Sequence, residues 1–177
     1  NLDIIKKYTT NHITILSNIQ AIPDCLFKGY KQLKKIIISE SIISIGKYAF
    51  SNCSNLEEVI FNNKCSLKLI EANAFEGCTS LKQIEIPPSV TTIKEYAFSC
   101  CSSLNQILIP SSLNSIEKHA FYKCSNLEKV IFNIKCSLKS VDANAFEGCT
   151  SLKQIEIPSS IVPIIKSAFD FSSLEIS

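Results

Sequence analysis

The sequence predicts a solenoid, in which short parallel β-strands stack along one axis and form a curved sheet on a concave face. Three observations predict it. The dipeptide Ala-Phe returns at a near-constant interval, other apolar residues keep fixed distances from each Phe, and one such unit is too short to bury them alone. Successive marks are 23 or 25 residues apart, with Leu26-Phe27 counted as the first. The marks are Phe27, Phe50, Phe75, Phe98, Phe121, Phe146 and Phe169.

The strand of each repeat is predicted by the pattern Leu-x-x-Ile-x-Ile, which starts six residues after the Phe, as in Leu81, Ile84 and Ile86. Its last part alternates with a period of two and is rich in branched residues. The pattern ends in Pro or Asn, and a Pro such as Pro87 suits a strand end because it lacks an amide donor. The following stretch, such as residues 89–98, predicts an extended piece and one tight helical turn.

The two ends of the chain depart from this pattern, as the ends of repeat arrays do. Residues 1–12 precede the first partial repeat, which begins near Ile13, and are expected to form an N-terminal cap segment that is helical. Residues 13–177 are expected to form a single domain of six to seven repeats. The last repeat is predicted to be truncated, because Leu174 follows Phe169 by five residues instead of six.

Two repeats are longer than the others and reveal a duplication. Residues 61–67 (FNNKCSL) and 132–138 (FNIKCSL) each add two residues after the strand. The segments Phe50–Phe98 and Phe121–Phe169 are identical at 35 of 49 positions. A block of three repeats is therefore present twice, 71 residues apart.

The repeat resembles a known family. The pattern L-x-x-I-x-I-P-x-S-V-x-x-I-x-x-x-A-F-x-x-C, as in TSLKQIEIPPSVTTIKEYAFSCCSSL at residues 79–104, is similar to the BspA-type leucine-rich repeat. The resemblance implies a leucine-rich-repeat solenoid, mainly β with short helical turns and with its curved parallel sheet on the concave face. It also implies a surface-exposed adhesion or host-interaction protein of bacteria or parasitic protists. All 18 basic residues are Lys, and Ile and Asn are abundant, which favours an AT-rich genome and hence a protist.

The candidate partner-binding residues are those that point outward from the strands, because the apolar pattern residues point inward. Four of the six residues just before the last Ile of each strand are themselves apolar. An exposed apolar stripe often marks a partner site, but branched residues also favour strands for their own sake, and both readings stay open. The first column comprises Ile37, Ile60, Glu85, Leu108, Ile131 and Glu156. The second column, two residues before the first, comprises Lys35, Glu58, Gln83, Gln106, Lys129 and Gln154.

Other kinds of site are weakly supported by the sequence. The absence of Arg and the formal charge of +2 argue against nucleic-acid recognition, and no run of 18 apolar residues is present to span a membrane. His12 and His119 lack a recurrent metal-ligand spacing, so no metal, cofactor or catalytic residue is predicted. The Cys column three residues after the Phe is interpreted as buried and inert. Cys65 and Cys136, in the longer loops, are expected to be more exposed and more reactive.

Three hypotheses for the function follow. The first is a non-catalytic binding module at the cell surface or secreted, whose concave face binds a protein, such as a host matrix or cell-surface protein, or a glycan. The second is a cytoplasmic scaffold or regulator using the same face, which free thiols would favour. The third is an enzyme whose catalytic domain lies outside this segment. Self-association through the apolar stripe, or through the first or last repeat of the stack, is a further expectation. Each repeat in the stack forms one rung.

Overall fold

The structure is a computed structural model that describes residues 5–9, 11–16, 18–136, 138–165, 167–169 and 175–176. It contains fourteen short strands, a 3₁₀ turn at Ser159–Ile161 and a single helical turn, α1, at Val162–Ile165. The strands are β1 (Ile5–Thr9), β2 (His12–Ile15), β3 (Ala21–Ile22), β4 (Lys35–Ile38), β5 (Ser44–Ile45), β6 (Glu58–Phe61), β7 (Leu69–Ile70), β8 (Thr92–Ile93), β9 (Gln106–Ile109), β10 (Ser115–Ile116), β11 (Lys129–Phe132), β12 (Ser140–Val141), β13 (Gln154–Glu156) and β14 (Glu175–Ile176).

The predicted solenoid is confirmed. The Leu-x-x-Ile-x-Ile strands form the concave face as two sheets, with β1, β2, β4 and β6 in one and β9, β11, β13 and β14 in the other. Each two-residue strand further along a repeat joins a six-stranded sheet of β3, β5, β7, β8, β10 and β12. Apart from β1, all strand neighbours are parallel and one repeat apart. The sequence predicted the second set of strands only as an extended piece.

Residues 5–9 of the N-terminal segment form a strand and not the expected helix. β1 pairs with β2 antiparallel, with Ile5 opposite Ile15 and Thr9 opposite His12. β2 begins the stack, so its outer edge would otherwise leave backbone donors and acceptors without partners. A strand satisfies that row of groups, which a helix cannot do.

The last repeat changes shape after β13. The 3₁₀ turn and α1 stand where the matching segment of the first duplicated block carries β8, and Pro163 takes the place of Thr92. Proline cannot donate a ladder hydrogen bond but is accepted at the start of a helical turn, which explains the change. β14 still pairs with β13, with Ile176 opposite Ile155. The expectation for Leu174 lies outside the described residues.

A continuous ladder of Phe rings forms the centre of the core. Neighbouring rings are stacked with centroids 4.5–5.3 Å apart, and no interplanar angle exceeds 27°. Four of the rings, those of Phe50, Phe75, Phe98 and Phe121, are completely buried. The Phe backbone amides also bond from rung to rung, as in Phe98 N to Ala120 O at 2.7 Å. The turns are therefore hydrogen-bonded as regularly as the strands.

Two columns of polar side chains join each rung to the preceding one. Each thiol of the Cys column donates to the carbonyl of the Phe in the preceding repeat, as Cys101 does to Phe75 O at 3.2 Å. Ser112 donates to Val90 O at 2.6 Å, and Ser41 and Ser89 make matching bonds. These bonds satisfy carbonyls inside the turns, so Cys and Ser supply donors as well as small volume.

The turns around the Phe residues use left-handed backbone just after the ring. The residue two after the Phe has a positive φ in six repeats, three of them with Gly. The other three are Asn52, Cys100 and Lys123, with φ of 59°, 58° and 54°. A side chain with a Cβ is strained there, and Asn tolerates the strain best.

We expect Lys123→Gly to be more stable than Lys123→Ala by about 1 kcal/mol, because both remove the long side chain and only Gly relieves the left-handed strain. Gly is the residue that two other repeats carry at this position, as Gly77 and Gly148. Urea unfolding followed by circular dichroism measures the difference. Equal stability of the two variants would mean that the backbone at this position stores no strain.

Candidate partner-binding face

The concave face presents the two predicted columns on one side of the sheets. Ile37 and Leu108 are 36% and 43% exposed, although both are large and apolar. Ile60 and Ile131 are half-buried. The residues between the two columns point inward and are buried, as Ile36 is. The strands therefore place ten of the twelve predicted residues on one face, and Gln83 and Glu85 lie between the two sheets. The four apolar members form two neighbouring pairs, Ile37 with Ile60 and Leu108 with Ile131.

Charged residues on this face form ion pairs across neighbouring strands. Lys35 Nζ lies 2.8 Å from a Glu58 carboxylate oxygen, and the two residues are opposite each other in the β4–β6 register. Lys129 forms an ion pair with Glu156 on the adjacent strand β13. These pairs are partly exposed, so they contribute little to stability but fix the pattern of charge.

The concave sheet is interrupted at its middle. β6 pairs with β4, but no strand pairing joins β6 to residues 83–86, all of which are described. Residues 83–86 make one isolated bridge on their other side, from Glu85 to Leu108. The interruption opens the concave groove, of about 720 Å³. Its lining includes Glu58, Ile60, Asn62, Gln83, Glu85 and Leu108.

The repeat pattern identifies the family. The sequence matches the family model "BspA type Leucine rich repeat region (6 copies)" over residues 5–128 and 64–175. The chain belongs to this family. The six copies in the description equal the six intervals between the seven Phe marks, and the matched residues cover both duplicated blocks. The comparison with curated proteins found no match.

Solved structures of leucine-rich repeat proteins have the same fold. The T. pallidum leucine-rich repeat protein TpLRR superposes with a TM-score of 0.76 at 21% identity, covering 97% of this chain and 90% of that one. A leucine-rich repeat protein from Bacteroides ovatus gives 0.74 at 28% identity, covering 86% of this chain and 41% of that one. The pneumococcal vaccine antigen PcpA gives 0.77 at 21% identity, covering 94% and 40%. The BspA-type chain therefore spans about two fifths of these last two structures.

The two loop thiols are more exposed than Cys53, Cys78, Cys101 and Cys124, as predicted, but the prediction that they are reactive is wrong. Cys65 is buried and Cys136 half-buried, because the longer loops fold their Cys back toward carbonyls of the preceding repeat, Ile42 O and Pro110 O. Burial raises the pKa of both thiols, which lowers their reactivity instead of raising it. Cys25 is the exposed thiol among the nine.

The Cys column three residues after the Phe is buried as predicted at Cys53, Cys78, Cys101 and Cys124. Burial raises the pKa of Cys53 to about 11 and raises the pKa of Cys78 and Cys101 as well. The pKa of Cys124 is raised too, first by a hydrogen bond with Cys149 and then by burial. These thiols are therefore protonated at neutral pH, and they act as hydrogen-bond donors and not as nucleophiles.

A cluster of one His, two Tyr and one Glu side chain, which the sequence did not predict, lies at the turns around the Phe residues. The His119 ring packs 4.8 Å from the Tyr96 ring and 5.0 Å from the Tyr122 ring, and its Nε2 lies 3.1 Å from a Glu147 oxygen. Tyr96 and His119 both precede their Phe by two residues, so the repeat period could have placed them together. Within the described residues, no group of three His, Cys, Asp or Glu side chains is placed to hold a metal ion.

The described part of the chain has no helix of the length and hydropathy needed to cross a bilayer.

Proposed function

We propose that this chain is a non-catalytic protein-binding module of a surface-associated adhesion protein, and that its concave face binds a host or partner macromolecule. One observation carries the proposal: the large apolar side chains of Ile37 and Leu108 stay exposed on the strand face, each beside a half-buried Ile of the neighbouring strand. Contiguous exposed apolar surface on a soluble domain marks an interaction site more often than chance placement.

The rest of the face supports binding by many modest contacts instead of one deep pocket. The polar column beside the apolar residues carries Lys, Glu and Gln, which offer hydrogen bonds around an apolar centre. Within each of the two concave sheets, strand pairing fixes the spacing of these groups before any partner arrives, so little conformational entropy is lost on binding. PcpA, whose fold this chain shares, is described as a vaccine antigen, which is consistent with a surface role.

We expect the double variant Ile37→Glu/Ile131→Glu to bind partner proteins about tenfold more weakly or worse, because charge at an apolar position of this face is costly to desolvate. An array of extracellular-matrix and cell-surface proteins, probed with the purified chain, measures binding. The matched control is Ile43→Glu/Ile134→Glu, which replaces two other exposed isoleucines, 41% and 83% exposed, outside the two columns. Equal binding by both double variants and the unmodified chain would contradict a role for the concave face.

An intracellular scaffold is the second candidate, and the nine free cysteines favour it. Thiols persist more readily in a reducing compartment than outside the cell. Antibody labelling of intact and permeabilised cells separates the two candidates. Labelling that requires permeabilisation would support the scaffold and contradict the adhesion module.

A further inference from the structure

The duplicated blocks provide two copies of one strand pair, and only one of them is closed. In the second copy, β11 and β13 are in register, with Lys129 opposite Gln154 and Ile131 opposite Glu156. In the first copy, β6 and residues 83–86 have no strand pairing. The core behind the opening is also less covered, because Val59 and Ile84 are 6% and 5% exposed while their counterparts Val130 and Ile155 are at 0%.

A single residue distinguishes the facing strands of the two copies. EVIF at residues 58–61 corresponds to KVIF at 129–132, while QIEI is identical at 83–86 and 154–157. Lys129 forms an ion pair with Glu156 across the closed pair. Glu58 and Glu85 hold the corresponding positions in the first copy, so two like charges replace the Lys–Glu pair of the second copy. Within the facing strands, this charge is the one difference between the open and the closed copy.

The carboxylates in the open copy are available to a ligand. In the part of the chain that the structure describes, no ion pair or hydrogen bond engages the Glu85 side chain, which is exposed. Glu58 pairs with Lys35 on its far side, and its side chain remains 53% exposed. On the other side of the rung the stack is closed, by the β7–β8 pairing and by Ser89, which donates to Cys65 O and Leu67 O. The opening is therefore confined to the concave face.

We propose that the concave groove binds an extended segment of a partner protein, with a Lys or Arg side chain of that segment between the carboxylates of Glu58 and Glu85. The proposal rests on the proposed function, since it adds a specific subsite to the binding face. The cation supplies the charge that Lys129 supplies in the closed copy. The unpaired edges of β6 and residues 83–86 offer backbone groups to an extended chain. Ile60 and Leu108 form the apolar flanks, and the groove's volume lies in the range of about 300–1,000 Å³ typical of ligand sites.

The probe is a fluorescent, end-blocked peptide with the sequence of residues 126–133, NLEKVIFN, because within the chain this strand is the natural neighbour of Gln-Ile-Glu. Fluorescence anisotropy with the full chain measures its affinity. A second peptide with Gln in place of the Lys is expected to bind about tenfold more weakly, since it loses the charge-assisted contacts. Equal affinity of the two peptides would overturn the cation subsite.

Variants of the protein test the site from the other side. Glu58→Lys places the ammonium of the closed copy inside the groove, and we expect peptide affinity to fall about tenfold or more. Glu57→Lys is the charge-matched control, because Glu57 lies next to Glu58, pairs with Lys34 and does not line the groove. Glu85→Gln should also weaken binding, whereas Glu156→Gln, the same change in the closed copy, should not. Equal losses in both members of either pair would overturn the proposal, because only the general charge of the face would then matter.

The outcomes separate this subsite from the proposed function. If Ile37→Glu/Ile131→Glu loses partner binding on the array while the Lys peptide does not bind, the binding face stands and the cation subsite is wrong. If the peptide binds as expected but the array detects no partner, the groove stands as a peptide site and the adhesion role fails. Neither Ile37 nor Ile131 lines the groove, so the two measurements are independent.

Discussion

Phe98→Ala should lower the free energy of unfolding by about 3–5 kcal/mol, the cost of removing a fully buried Phe from a packed core. Phe98 lies in the middle of the ring ladder, 5.3 Å from Phe75 on one side and 5.3 Å from Phe121 on the other. The substitution removes both stacking contacts and leaves a cavity between two rungs. Because stability in a solenoid depends on contacts between neighbouring repeats, the loss separates the array into two weakly coupled halves.

Urea unfolding, followed by circular dichroism, measures this loss, and a second transition would report the separation of the halves. The matched control is Phe61→Ala, the same change at a half-buried ring at the end of β6, where we expect a smaller effect. If Phe61→Ala destabilised the chain as much as Phe98→Ala does, the ring ladder would have no special place in the core.

The buried thiols should make the chain lose stability in alkaline solution. In the unfolded chain a thiol loses its proton near its ordinary pKa of 9.0, whereas burial in the folded chain raises the pKa of Cys53 to about 11. The folded state then holds more protons than the unfolded state above pH 9, so stability is complete below that pH and falls as the pH rises toward 11. Over this interval Cys53 alone accounts for roughly 2–3 kcal/mol, and Cys78, Cys101 and Cys124 act in the same direction.

Comparison with Cys53→Ser isolates this contribution from the Lys and Tyr residues that also titrate. Ser keeps a hydroxyl donor toward Phe27 O but does not ionise, so the variant should show a shallower fall in unfolding free energy above pH 9. Cys25→Ser is the matched substitution at an exposed thiol. A Cys53→Ser variant whose alkaline stability fell as steeply as that of the unmodified chain would contradict a protonated thiol in the core.

The period of the sequence was sufficient to predict the solenoid, the inward residues and the outward columns. Each repeat contributes Leu, Ile and Ile at fixed distances from its Phe, and this regularity leaves few other ways to bury the apolar residues. The duplication could also be read from the sequence, because it needs only identity between positions. A repeat pattern therefore predicts well the features that all repeats share.

Features that depend on a single repeat could not be predicted from the repeat pattern. The strand β1 replaces the expected helix because the free edge of β2 needs partners, a tertiary requirement that residues 5–9 do not display themselves. Cys65 is buried because the extra loop residues turn inward, although a longer loop suggests exposure. The groove lies where Glu58 occupies the position that Lys129 holds in the second copy. The sequence shows this substitution, but only the three-dimensional structure shows that one strand pair is open and the other closed.

Among the described residues, the side-chain bonds to backbone carbonyls of a neighbouring repeat run in one direction, and this has a consequence for how the chain is made. In each Cys–Phe bond the donor belongs to the later repeat and the acceptor carbonyl to the earlier one, and the bonds from Ser41, Ser89 and Ser112 follow the same rule. During synthesis the N-terminal repeats leave the ribosome first. The Cys and Ser donors of each new repeat thus meet carbonyls that have already left the ribosome, so these side-chain bonds need no part of the chain that is still to be made.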